Sequence, residues 1–304
     1  MSEVIRRNTI SIIILVSIIL GFILPQIGLL WKSGTTILLG LLMFFSSLRI
    51  ETTDIARSVK NPKLVLTSLF IVFVFTPLLA YPTKLFFEPI IFAGLLLAFC
   101  SPSAIVTAFW SRIMKGDVAF ALVISTLANI ASIITIPVTI LIATGAAANV
   151  NALSMILTLS ETVLLPIIVS IGLKRTIKIN WSRVTNNANR FEPFILAMLI
   201  WGSIAPGVSG ALDAPFQFVI LTAYVFVALG CAFAVGHFMG RMFGSAYAIT
   251  VGIAACIKNA ALALVIGLTL FGPQILTPLI ANLLAQNLLI VPLQFIFKNG
   301  NQKN

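Results

Sequence analysis

The chain has 304 residues, of which 60% are hydrophobic and only 9% charged, with a mean hydropathy of +1.12. Soluble chains carry about 25% charged residues, so this composition excludes a soluble domain. The apolar runs are continuous and helix-length, where a barrel would show short alternating segments, so an all-α polytopic membrane protein is expected. In such a chain the net charge of +11 says less than where the charges sit, and no nucleic-acid partner is implied.

Ten apolar runs follow one another, at 8–24, 34–48, 64–82, 89–111, 117–144, 152–173, 193–209, 216–238, 246–271 and 276–297. A bilayer crossing takes roughly 20 residues. Arg6 and Arg7 before the first run look like a signal peptide, but Pro25-Gln-Ile-Gly follows in place of a small-residue cleavage site, so a retained first helix is expected. Threading ten spans puts 16 of the 19 Lys and Arg on one side: Arg6, Arg7, Arg49, Arg57, Lys60, Lys63, Arg112, Lys115, Lys174, Arg175, Lys178, Arg183, Arg190, Arg241, Lys298 and Lys303. Lys32 and Lys84 fall opposite, and Lys258 lies within a span. The positive-inside rule then predicts both termini cytoplasmic; the protein is expected in the cell membrane, with the basic loop between Arg49 and Lys63 facing lipid headgroups. Adding about 156 to the first half superposes spans 3, 4 and 5 on spans 8, 9 and 10, and Cys100 on Cys256. The pattern predicts two inverted five-helix repeats, the arrangement of alternating-access carriers.

Two spans are interrupted. In span 4, Cys100-Ser101-Pro102-Ser103 breaks an apolar run; proline removes a backbone donor and disfavours helix at the residue before it. The helix restarting at Ser103 would offer free N–H groups to an anion, with Ser103, Thr107 and Ser111 on one face. In span 9, Lys258-Asn259 sits at the centre of Gly252–Leu264. A cation there costs at least about 2.5–3.5 kcal/mol, so Lys258 needs a partner, a cavity or a task. Span 5 carries Ser125, Asn129 and Ser132, and span 10 carries Asn282, Gln286 and Asn287. Such stripes can be helix–helix glue, yet these follow both breaks, which favours a lined site. Glu161 is the one acidic residue well inside a span, on a face with Ser154 and Thr158. It is the expected counter-charge or proton relay for Lys258, either as a permanent salt bridge or as a pair made in one transport state. Cys100, Cys231 and Cys256 show no metal spacing. The sequence contains no GxxxxGK[ST] loop and no Ser/His/Asp set, so neither enzymatic chemistry nor a cofactor is expected.

Phe99-Cys-Ser-Pro-Ser-Ala-Ile-Val-Thr107 with Ile113-Met-Lys-Gly-Asp-Val-Ala119, and Ala255-Cys-Ile-Lys-Asn-Ala-Ala-Leu-Ala263, resemble the broken fourth and ninth helices of the bile acid:sodium symporter superfamily and its arsenite-efflux relatives. The resemblance implies ten helices in one transmembrane unit, with a panel (about 1–50 and 152–209) and a core (about 64–144 and 216–298). Discontinuous helices 4 and 9 would cross within that core. It also marks departures. Where sodium-coupled members carry an acidic residue and a glutamine in helix 9, this chain has Ala254 and Lys258; a helix-4 asparagine falls on Ala108 and a helix-3 glutamine near Phe73. The cysteine that the arsenite branch places after the helix-4 proline is Ser103 here. The expectation is a secondary active transporter of a small organic anion, not sodium-coupled in the family's usual way, with protons a candidate coupling ion. The alternative is metalloid or other efflux on the same fold. Its substrate or ion site would comprise Ser101, Ser103, Thr107, Ser125, Asn129, Lys258, Asn259, Asn282 and Gln286.

Overall fold

A computed structural model describes residues 3–49, 61–104, 106–145, 151–177 and 179–299. Arg57, Lys60, Lys178 and Lys303 of the basic set lie outside these residues. The regular structure of the described residues is helical, apart from one isolated antiparallel bridge between Ser103 and Lys258.

In order, the helices are α1 (Glu3–Ile23), α2 (Pro25–Leu29), α3 (Thr35–Ser47), α4 (Pro62–Phe70, continued by a π turn at Ile71–Phe75 and by Thr76–Leu78), α5 (Pro89–Cys100), α6 (Thr107–Ile113) and α7 (Val118–Thr144). They continue with α8 (Ala152–Leu159, a π turn at Ser160–Leu164, then Leu165–Thr176), α9 (Trp181–Ile204), α10 (Val208–Asp213), α11 (Pro215–Arg241), α12 (Ser245–Cys256), α13 (Ala260–Phe271) and α14 (Leu276–Asn299). Among the described residues six helical stretches are long and apolar enough to cross a membrane, spanning Pro62–Leu85, Val118–Thr144, Ala152–Thr176, Arg190–Asp213, Pro215–Arg241 and Pro273–Phe297. Ile10–Ile23, Pro89–Cys100, Ser245–Cys256 and Ala260–Phe271 are shorter apolar helices. The chain is a multi-pass membrane protein. Two of the ten expected spans, 89–111 and 246–271, are each divided, and the second span is a 13-residue helix.

Local chemistry sets most of the helix starts. Asn61, Asp117, Asn151 and Asn180 each accept a backbone N–H of the first turn, meeting donors that a helix N-terminus leaves open. Pro62, Pro89 and Pro215 occupy first helical positions, where a missing N–H costs nothing. The turn from α11 to α12 runs through Gly244 at φ +130°, a value that L side chains rarely adopt. Gly236 and Gly240 then let the two helices touch, because a Cβ there would lie 2.9 Å from the Val251 carbonyl and 2.8 Å from that of Tyr247.

The helices form two sets of contacts that also meet each other, the first half of α8 packing on α7 and α9 on α13. In one, α9 contacts α1 and α3, and α3 also contacts the second half of α8. In the other, α11 packs on α12 and α14, α14 on α5 and α13, and α7 on α6 and α12. A cavity of about 480 Å³ lies between the groups. Its floor is the place where the two interrupted spans meet.

Candidate functional site

Helix α5 stops at Cys100 because Ser101 turns extended (φ −61°, ψ 145°) and Pro102 has no N–H with which to continue. Helix α12 stops at Cys256, where Ile257 is extended (φ −93°, ψ 91°). Each stop leaves backbone groups that need partners in a buried place, and each break supplies them to the other. Ala104 N donates to Ile257 O at 2.9 Å, and Asn259 N donates to Pro102 O at 2.8 Å. The two breaks therefore form a reciprocal two-bond bridge, with Ser101, Ser103 and Lys258 wholly buried.

Side chains tie this bridge to the following helices. Asn259 caps α13 by accepting Leu262 N at 3.1 Å, and its Nδ2 donates to Asn129 Oδ1 at 3.1 Å. Asn129 Nδ2 donates to Ser125 O at 2.7 Å and Ser103 O at 3.4 Å. Ser103 Oγ donates to Ser125 Oγ at 3.4 Å, and Ser125 Oγ donates to Ala104 O at 3.1 Å. From α14, Gln286 Oε1 accepts Lys258 N at 3.0 Å. Six of the expected site residues thus form one network: Ser103, Ser125, Asn129, Lys258, Asn259 and Gln286. Three are near it but unengaged. Ser101 Oγ donates to Leu97 O of its own helix at 2.8 Å, and the polar side-chain atoms of Thr107 and Asn282 are buried with no partner among the described residues.

Lys258 solves its charge problem in a way the sequence did not announce. Its Nζ donates to Val72 O at 3.0 Å. Val72 belongs to the π turn of α4, whose hydrogen bonds run from residue i to i−5: Thr76 N donates to Ile71 O. In that register the next donor, for Val72 O, would be the N–H of residue 77, which is proline. The orphaned carbonyl receives the ammonium instead. The structure does not bring Glu161 to this place. Its side chain lies on an exposed face of α8 with Leu157 and Leu165, so among the described residues Lys258 Nζ meets a backbone carbonyl and not a carboxylate.

Sequence reasoning left Arg49 and Arg112 among the loop charges and did not single out Glu192; all three line the cavity. Arg49 pairs with Glu192 across α3 and α9, while Arg112 is exposed and has no partner among the described residues. A usable signal was Arg112 itself, ten residues after Pro102 and three after Phe109 on the helix that leaves the break.

The arrangement is a pocket between two helix groups, floored by paired helix breaks and open towards a basic end. A family model described as the Sodium Bile acid symporter family matches residues 36–211. The chain belongs to the sodium bile acid symporter family, and its members are transporters, not enzymes. Three relatives extend the likeness. "Uncharacterized protein YbaS" of Bacillus subtilis (strain 168) is 23% identical over 285 residues, covering 90% of this chain and 91% of that protein. "Uncharacterized sodium-dependent transporter YocS" of the same organism is 25% identical over 169 residues, covering 55% and 53% respectively. "Probable sodium/metabolite cotransporter BASS2, chloroplastic" of Oryza sativa subsp. japonica is 26% identical over 255 residues, covering 81% of this chain and 58% of that protein.

Proposed function

We propose that this family member is a secondary active carrier that moves a small organic anion by alternating access, without sodium coupling of the kind its relatives' names describe. One observation carries the reading: the Lys258 ammonium sits on Val72 O. It comes from the helix-9 position where sodium-coupled members carry a glutamine. Its acceptor lies next to Phe73, where the helix-3 glutamine would be. The Lys258 Nζ therefore occupies ground that a sodium ion would need, and when it is charged the two cations repel one another in a buried site. The driving force is then the gradient of the substrate itself, or protons.

Several features support the wider architecture of ten spans in two inverted repeats. Helices α5 and α12 are both 12 residues long and both end at a cysteine. Their breaks exchange one bond in each direction, as a two-fold relation requires. Asn129 and Gln286, on the helices after the breaks, each bond the backbone of a break. The two helix groups fit a panel and a core, the cavity would open to the cytoplasm on the basic side, and both termini would lie there too. The cavity walls carry three cations, Arg49, Arg112 and Lys258, against one carboxylate, Glu192, which favours an anionic substrate. Metalloid efflux gains no support, because the Cys100 thiol is buried and aimed at Leu97 O, 3.5 Å away.

The test is uptake into proteoliposomes of purified protein with Na⁺ or K⁺ as the sole alkali cation. Equal rates are expected, and a steep sodium dependence would sink the proposal. Lys258→Met, which removes the fixed cation but keeps the length of the side chain, is expected to abolish counterflow, whereas Glu161→Gln should leave it within about twofold. Equal loss in both variants would instead support a Glu161–Lys258 pair in the opposite conformation.

A further inference from the structure

The cavity has two unlike walls. Ile14, Leu39, Met43 and Leu196 make one side apolar. The other is the break region with Asn259 and Gln286, prolonged towards the basic end by Phe109 and Arg112. Each charged group along this path except one has a partner. Lys258 Nζ is held by Val72 O, and Arg49 and Glu192 hold each other. Arg112, on the last turn of α6, is exposed into the cavity with no partner among the described residues.

We propose that Arg112 is the residue that recognises the acid group of the organic anion proposed above. The guanidinium is a planar fork of donors that matches both oxygens of a carboxylate. Lys258, engaged at the floor, sets the electrostatic background and does not touch the ligand. With the acid group on Arg112, the carbon body lies against Phe109 and the apolar wall of α1, α3 and α9. A pocket of about 480 Å³ falls in the size range of small-molecule sites. The proposal rests on the transporter reading but is separable from it, since it concerns what the open cavity binds and not what drives the cycle.

Full-length protein in nanodiscs is titrated with 4-phenylbutyrate and with its neutral amide, and binding is read as ligand-induced thermal stabilisation. The acid is expected to bind at least about tenfold more tightly than the amide. Arg112→Gln should bring the two within about twofold, and Arg112→Lys, which keeps the charge but loses the fork, should fall between. Lys115→Gln, an exposed charge on the same basic side that does not line the cavity, should leave the preference unchanged. Unliganded melting curves verify that each variant is folded. Acid preference surviving in Arg112→Gln overturns the proposal, as does wild-type protein that takes acid and amide alike or takes neither. Sodium-dependent uptake would overturn the coupling proposal and leave this binding result standing.

Discussion

Asn259 shows how much one side chain does where two helix ends meet. Its backbone N–H closes the bridge to Pro102 O, its Oδ1 caps α13, and its Nδ2 reaches Asn129 on α7. Replacing it with leucine keeps the branched heavy-atom skeleton but strands the Asn129 oxygen and the Leu262 N–H in a buried place. Each unmet buried group costs about 1–3 kcal/mol. Asn259→Leu should therefore lower the midpoint of thermal unfolding clearly, whereas Asn259→Asp, which retains the capping oxygen, should lower it less. At Cys100 the expectation is the reverse. The thiol's contact is a long one to its own helix, so Cys100→Ser should leave folding and uptake near wild type; lost uptake with intact folding would revive a thiol-based mechanism. These residues were readable to different degrees. Asn129, Asn259 and Gln286 stood out in the sequence because a carboxamide inside an apolar run needs partners. The partner of Lys258 did not, because a backbone carbonyl has no letter of its own.

At the scale of elements, the break in the fourth span announced itself through Pro102, which forbids the next helical bond. The break in the ninth span contains no proline, and only the pairing of Lys258 and Asn259 hinted at it. What decides it is the partner segment: Pro102 O and Ala104 N give its open ends the bonds that a continuous helix would have made. The interruption of α4 was missed, although Pro77 was its visible cause. That proline is accommodated by a π turn, and the turn hands Val72 O to the ammonium. Pro77→Ala restores an N–H that can compete for this carbonyl, and a proline in a helix interior costs about 3 kcal/mol relative to alanine. The variant should therefore be at least as stable as wild type on heating, yet slower in counterflow, because Lys258 loses its acceptor. Faster or unchanged counterflow would mean that the contact between α4 and Lys258 has no part in the cycle.

For the whole molecule, the paired breaks explain how a membrane protein can keep a polar centre with its backbone groups met. The network ties the two breaks to α7, α13 and α14, and Lys258 Nζ adds Val72 of α4; under the proposed alternating access these elements would move together past α1, α3 and α9. Contact across the cavity is mainly apolar on the α1, α3 and α9 side, and apolar surfaces slide without leaving polar groups unmet. Met43 of α3 and Phe109 of α6 line facing walls, which makes them a test of this motion. Cys231 is the one exposed native cysteine, whereas Cys100 and Cys256 are buried. In a Cys231→Ser background, Met43→Cys with Phe109→Cys should transport under reducing conditions. As the cavity closes, an oxidant should capture the pair as a disulfide, stopping counterflow until a reductant is added. Each single-cysteine variant should be indifferent to the oxidant. A pore, which needs no closure between the walls, would pass substrate regardless of the linkage, so flux persisting through the captured disulfide would rule out alternating access between these two groups of helices.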